Sequence, residues 1–166
     1  MAGHRLVRAA LARLEPCMPH PWSIDDFAAN LARHRDRAIH LIAWPLTDID
    51  ESLTGMWIPT TLADYVFFDQ QASPSRREAI IGHELGHLVL EHAARLADAP
   101  DDLLKALAPS VSPELARRIL TRARSSYGDD EEALAETFAT SLIRAGNGRR
   151  ATGEDTELSR LDDSLR

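Results

Sequence analysis

The sequence predicts an α+β single domain, with a small, mainly antiparallel three-stranded sheet packed against a set of helices. Three observations carry that expectation. Apolar residues recur at helical spacing near both ends of the chain, around residues 4–15, 24–31 and 131–145. Between residues 38 and 68 the period changes to short runs rich in β-branched and aromatic side chains. A more apolar helix pattern, 79–90, follows the last of these runs after a short link. A length of 166 residues is ordinary for one domain, and 44% apolar with 27% charged residues is the balance of a globular chain with its own core.

Taken in order, Leu6, Val7, Ala10, Leu11 and Leu14 mark a first helix over 4–15, and Pro16, Pro19 and Pro21 then break the chain into a turn or extended link. Ser23 is placed to cap a second helix, with Asp25 and Asp26 in its first turn and Ile24, Phe27, Ala28 and Leu31 as its buried stripe. Three strands follow: Ile39 to Trp44 ending at Pro45, Met56-Trp57-Ile58-Pro59, and Tyr65-Val66-Phe67-Phe68, with turn formers over 48–55 and 60–64 between them. The next helix has two competing starts, a capping box at Ser75-x-x-Glu78 and an N-cap followed by proline at Ser73-Pro74. Beyond His92 the pattern loosens over 97–102. Ser112-Pro113-Glu114 opens a helix to about Ser125, and Gly128-Asp129-Asp130 opens the last strong helix, 131–145, which Gly146 can close. The domain is therefore drawn as 1–146, with N-terminal helices in 1–34. Residues 147–166 form a polar, glycine-bearing tail expected to be mobile, whose Leu158, Leu161 and Leu165 make a stripe too short to hold a helix alone.

Charge and cysteine content narrow the function classes. A net charge of −7 and a pI near 5.4 argue against direct nucleic-acid binding, which needs clustered Lys and Arg on the phosphates. The densest basic stretch, Arg33-His34-Arg35-Asp36-Arg37, is short, carries an acid, and reads as a solvated helix face. A single cysteine, Cys17, excludes an internal disulfide framework and fits a reducing compartment. No signal peptide is visible and no apolar run approaches the roughly 20 residues of a membrane span, so the expectation is a cytoplasmic protein with no membrane partner.

The chemistry lies in His83-Glu84-Leu85-Gly86-His87. Positions i and i+4 share a helix face, so the imidazoles of His83 and His87 can converge on one metal ion. Glu84, about 100° around the helix, can hydrogen-bond a metal-bound water without being a ligand itself. Two neutral nitrogens and an adjacent base are what a zinc hydrolase requires, since zinc lowers the pKa of its water to about 7. His20, His34 and His40 lack ligand spacing and read as surface or core residues. A catalytic zinc keeps three protein ligands, so a third must be found. The pattern H-E-x-x-H-x-x-G-x-x-H is absent, because Leu90 and Ala93 stand at its glycine and last histidine. His92, five residues past His87, points away from the ion if the helix continues. The remaining candidates are acids on the last helix. Glu131 lines up with Ala135, Phe138 and Leu142, and Glu132 with Ala135, Ala139 and Ile143; both faces are apolar, and periodicity does not choose between them.

The run Arg76 to Leu88, followed some forty residues on by Glu132-x-x-Ala135-x-x-Phe138-Ala139-x-x-Leu142, resembles the ImmA/IrrE family of zinc metallopeptidases over residues 35–145. The resemblance implies a zincin-like fold and one zinc per chain, held by His83, His87 and Glu132 with Glu84 as general base. It also implies an endopeptidase that cleaves or inactivates a helix-turn-helix repressor of the XRE type. Two departures stand out: Glu136 where the family commonly carries Asn, and Ile143-Arg144-Ala145 where a Met-Pro often follows. Glu136 lies one turn beyond Glu132 and can orient a ligand histidine. Tyr65 and Tyr127 are the phenols available as oxyanion donors. For substrate binding, Tyr65-Val66-Phe67-Phe68 is the candidate, as a strand whose free edge would accept an extended peptide; its four successive apolar residues favour instead an interior strand buried on both faces. A different class of function is a binding module that keeps the zinc site as scaffold and acts on its protein partner without cutting it.

Overall fold

Three strands form, but their order differs from a simple meander. The computed structural model describes residues 2–49, 51–60, 62–92 and 128–164. The strands are β1 (Ala38–Trp44), β2 (Gly55–Pro59) and β3 (Ala63–Asp69), arranged β1-β3-β2. β2 and β3 pair antiparallel with Trp57 opposite Val66, whereas β1 and β3 pair parallel with Leu41 opposite Val66. The sheet is therefore mixed, not mainly antiparallel. Burial explains the order. Six of the seven residues of β3 are buried, so β3 takes the middle, while β1 is half exposed along its length. The β2–β3 hairpin closes at Thr60, whose hydroxyl accepts the amides of Leu62 and Ala63 at 3.2 and 3.0 Å. Pro59 sits at the end of edge strand β2, where a missing N–H breaks no ladder.

Five α-helices surround this sheet among the described residues. They are α1 (Ala2–Arg13), α2 (Ile24–His34), α3 (Leu46–Ile49), α4 (Pro74–Val89) and α5 (Asp129–Ser164). Ser23 caps α2 as the sequence predicts, its hydroxyl accepting the Asp26 amide at 3.2 Å. The proline-rich link contains a short 3-10 turn, Glu15–Cys17. α3 overlaps the start of the predicted turn segment, 48–55, and is held by Asp69, whose carboxylate accepts the Thr47 amide at 3.1 Å, with Leu46 fully buried. For α4 the earlier start wins: Ser73 is the N-cap and Pro74 opens the helix.

The C-terminal boundary also differs. α5 runs through Gly146 to Ser164, across the segment expected to be a mobile tail. Among the described residues no glycine takes a positive φ, so Gly146 is not a helix stop. It is buried because the Trp22 ring occupies the space that a Cβ at 146 would fill. The predicted helix from Ser112 to Ser125, the loop over 97–102 and Tyr127 lie outside the described residues.

The core is continuous across the layers. It joins Val7 and Ala10 of α1, Phe27 and Leu31 of α2, Val66 and Phe68 of β3, Ile81, Leu85 and Leu88 of α4, and Phe138 and Leu142 of α5. α4 packs on β2 and β3 and, more extensively, along α5. Arg77 ties α4 to α2 through a bidentate pair with Asp25, at 2.8 and 2.6 Å.

Candidate metal centre

α4 is buried from Ile80 to Leu88, His83 apart, for reasons that lie in its sequence. Ile80, Ile81, Leu85 and Leu88 face the core, leaving His83 and His87 on the side turned to α5. Their i, i+4 spacing brings the two Nε2 atoms to 3.0 Å. His87 is 1% exposed, and His83 is partly open.

α5 supplies the third group because the two helices approach closely. Gly86 faces Ala135, where an added Cβ would lie 3.1 Å from the Ala135 Cα, and Gly82 faces Ala139, with 3.4 Å to its Cβ. Glycines four apart on one helix thus meet alanines four apart on the other. Glu132, one turn before Ala135, then reaches both histidines. Its carboxylate oxygens lie 3.2 Å from His83 Nε2 and 3.7 Å from His87 Nε2. Glu131 is occupied elsewhere: its carboxylate accepts the Gly128 amide at 3.1 Å, while the Glu132 amide bonds the Gly128 carbonyl. This is the N3-to-N-cap half of a capping box. The helix start therefore uses Glu131 as a cap and leaves Glu132 for the histidines.

These three residues are a group that can hold a metal ion, with one ligand atom from each lying within 4.8 Å of the others. A tetrahedral zinc with bonds of about 2.1 Å separates its ligands by roughly 3.4 Å. The distances of 3.0, 3.2 and 3.7 Å bracket that value. Two imidazoles with one carboxylate also form a donor set suited to zinc and similar divalent ions. Glu132, with its side chain 48% exposed, leaves the site open on one side.

Around this group lie residues that touch it without joining it. Glu136 places a carboxylate oxygen 3.5 Å from His83 Nδ1. Glu84 is buried at 6% exposure, and its carboxyl is pushed up to about 8 by burial and by the nearby charge of Glu132, opposed by the Trp57 backbone amide. Burial, with the neighbouring His83 and His92, depresses His87 to about 3, which keeps its imidazole neutral. His92 lies beside His87, with Nδ1 to Nδ1 at 2.9 Å.

Sequence reasoning misses several of these contacts. A continuing helix would carry His92 away from the site, but α4 stops at Val89 and the chain turns back. Gly55 reads in sequence only as a turn former, yet an added Cβ there would lie 2.8 Å from the Glu84 carboxylate. The spacing of Gly82 and Gly86 is the signal available for the close α4–α5 approach. The substrate-binding expectation for Tyr65, Val66, Phe67 and Phe68 is corrected. These residues lie on β3, which is bonded on both sides, so they offer no free edge to an extended peptide. Tyr65 instead stacks on His40, with ring centroids 5.0 Å apart.

No helix among the described residues is long and apolar enough to cross a membrane. Comparison with protein-family models, curated proteins and solved structures finds no match to this chain.

Proposed function

We propose that this chain is a zinc-dependent endopeptidase of the ImmA/IrrE type on a zincin-like fold. The observation that carries the reading is the meeting of Glu132 with His83 and His87 beside a buried Glu84. The three donors would hold one zinc per chain. When bound, zinc supplies Lewis acidity, lowering the pKa of a water and polarising the scissile carbonyl. His83 and His87 contribute neutral nitrogens and Glu132 one negative charge, so a bound dication keeps net positive charge for that work. Glu84 accepts the proton of the attacking water and returns it to the leaving amine. Burial beside Glu132 raises the Glu84 carboxyl, so that the ionised form, which a bound dication would favour, is a stronger proton acceptor than a free carboxylate and keeps the proton until the amine leaves. The resemblance supports a protein substrate, an XRE-type helix-turn-helix regulator, cut in the cytoplasm.

The burial of Glu84 also favours a second reading, a zinc-scaffolded binding module that acts on such a regulator without cleavage. One pair of variants separates the two. Purified wild type should carry close to one zinc per chain by metal analysis, and His83→Ala should lose most of it together with function. Glu84→Gln should keep the zinc and lose cleavage of the regulator. Full regulation in cells by Glu84→Gln would leave the binding module standing, and a wild type that takes up no added zinc would end both readings.

A further inference from the structure

His92 is delivered to His87 by the way α4 ends. The Glu91 amide donates to the Leu88 carbonyl at 3.4 Å and the His92 amide to the His87 carbonyl at 3.0 Å. This is the paired bonding of a Schellman stop, with Glu91 in the left-handed region at φ 55°. A reversal of this kind brings the residue after the left-handed position back over the last helical turn. His92 there is 7% exposed, and its ring meets that of His87 edge to face, with centroids 5.0 Å apart. The polar contact is Nδ1 to Nδ1 at 2.9 Å, a hydrogen bond in which one imidazole donates and the other accepts.

The direction of that bond follows from the other face of the His87 ring. Its Nε2 points to His83 Nε2 and to Glu132. A nitrogen can bind a metal only through a lone pair, so a ligating His87 carries its proton on Nδ1. His92 Nδ1 must then be the acceptor. We propose that His92 is a positioning residue that holds His87 in the Nδ1–H tautomer, with Nε2 presented to the ion. This rests on the metal reading of His83, His87 and Glu132. The two ligand histidines are thereby oriented by different means. His83 Nδ1 faces the exposed Glu136 carboxylate at 3.5 Å, and His87 Nδ1 faces a buried imidazole. A neutral acceptor beside His87 fixes its tautomer without burying a negative charge against its ring.

The test compares two replacements of His92. His92→Asn puts an amide oxygen close to where Nδ1 was and keeps an acceptor. His92→Phe keeps the ring volume and removes it. Long-range proton–nitrogen spectra of the metal-free wild type should show His87 protonated on Nδ1. His92→Phe should shift that population toward the Nε2–H form and weaken zinc binding roughly 10- to 100-fold. His92→Asn should hold the wild-type tautomer and bind zinc within a few fold of wild type. A His87 protonated on Nε2 in the wild type overturns the proposal, as does an unchanged tautomer in His92→Phe. Equal loss of zinc affinity in both variants would reduce His92 to packing. Should the tautomer respond as stated in a wild type that takes up no zinc, the metal reading falls and the presentation of Nε2 to an ion falls with it, leaving only the His92–His87 hydrogen bond.

Discussion

α2 and α4 end in the same way and put the result to different use. At the end of α2 the Asp36 amide donates to the Arg33 carbonyl at 3.2 Å and the Arg37 amide to the Ala32 carbonyl at 3.0 Å, with Asp36 at φ 50°. This is the bond pattern found at Leu88, His87, Glu91 and His92, again with a charged residue where glycine is usual. In both cases the next residue turns its side chain back into the protein. Arg37 donates to the buried Asp64 carboxylate at 2.8 Å and to the backbone carbonyls of Thr60 and Ala63, and Asp64 also accepts the Trp57 indole N–H at 3.1 Å. That cluster locks the β2–β3 hairpin. His92 instead meets a histidine of the metal group. The stop motif therefore sets only the direction of the returning side chain, and its role depends on what that end of the helix faces. Trp57 touches both regions, its indole on Asp64 and its backbone amide on Glu84.

The sharpest break on the structural side is Asp64→Ala. It leaves the Arg37 guanidinium and the Trp57 indole without their shared acceptor in a site where Asp64 is 1% exposed. Removing this buried acceptor costs about 3 kcal/mol, the low end for a buried pair because the Arg37 side chain is 27% exposed, read as a fall in denaturant midpoint. A loss under about 1 kcal/mol would show that the hairpin does not depend on the lock.

On the site side the corresponding probe is the ionisation of Glu84 in metal-free protein. A carboxyl raised from 4.5 to about 8 stabilises the fold fully below pH 4.5, and that contribution is lost as pH rises toward 8. Glu84→Gln has no such proton to lose. Relative to wild type at the same pH, metal-free Glu84→Gln should gain about 3 kcal/mol between pH 4.5 and 7, because each pH unit over which the folded carboxyl keeps its proton is worth about 1.36 kcal/mol. His87 works in the opposite sense. Held at about 3, it contributes stability above pH 6.5 that is lost as pH falls through 3. It is present in both proteins, so it cancels from the difference. A difference that stays flat with pH would mean that the carboxyl of Glu84 is not displaced.

The smallest effect tests the shared motif itself. Asp36→Gly and Glu91→Gly each relieve a left-handed non-glycine residue and should raise stability by roughly 0.5–1 kcal/mol, with zinc content unchanged. If Glu91→Gly stabilises and Asp36→Gly does not, the two ends are not equivalent, and the Arg37 lock already determines its own turn.

What the sequence determined by itself was local. The i, i+4 pairing of His83 and His87, the Ser23 cap, the three short strands and the start of the last helix near Asp129 all depend on neighbours within a turn or two. Their signals therefore sit in contiguous residues. Only the tertiary structure decided which strand lies in the middle, because pairing joins segments distant in the chain and the burial of β3 on both sides selects it. The same holds for Gly146, which reads as a helix stop until the Trp22 ring is found against it. It holds for the two acids at the start of α5 as well. Glu131 and Glu132 have equivalent patterns in sequence, and they separate once one caps Gly128 and the close packing of Gly86 on Ala135 carries the other to the histidines.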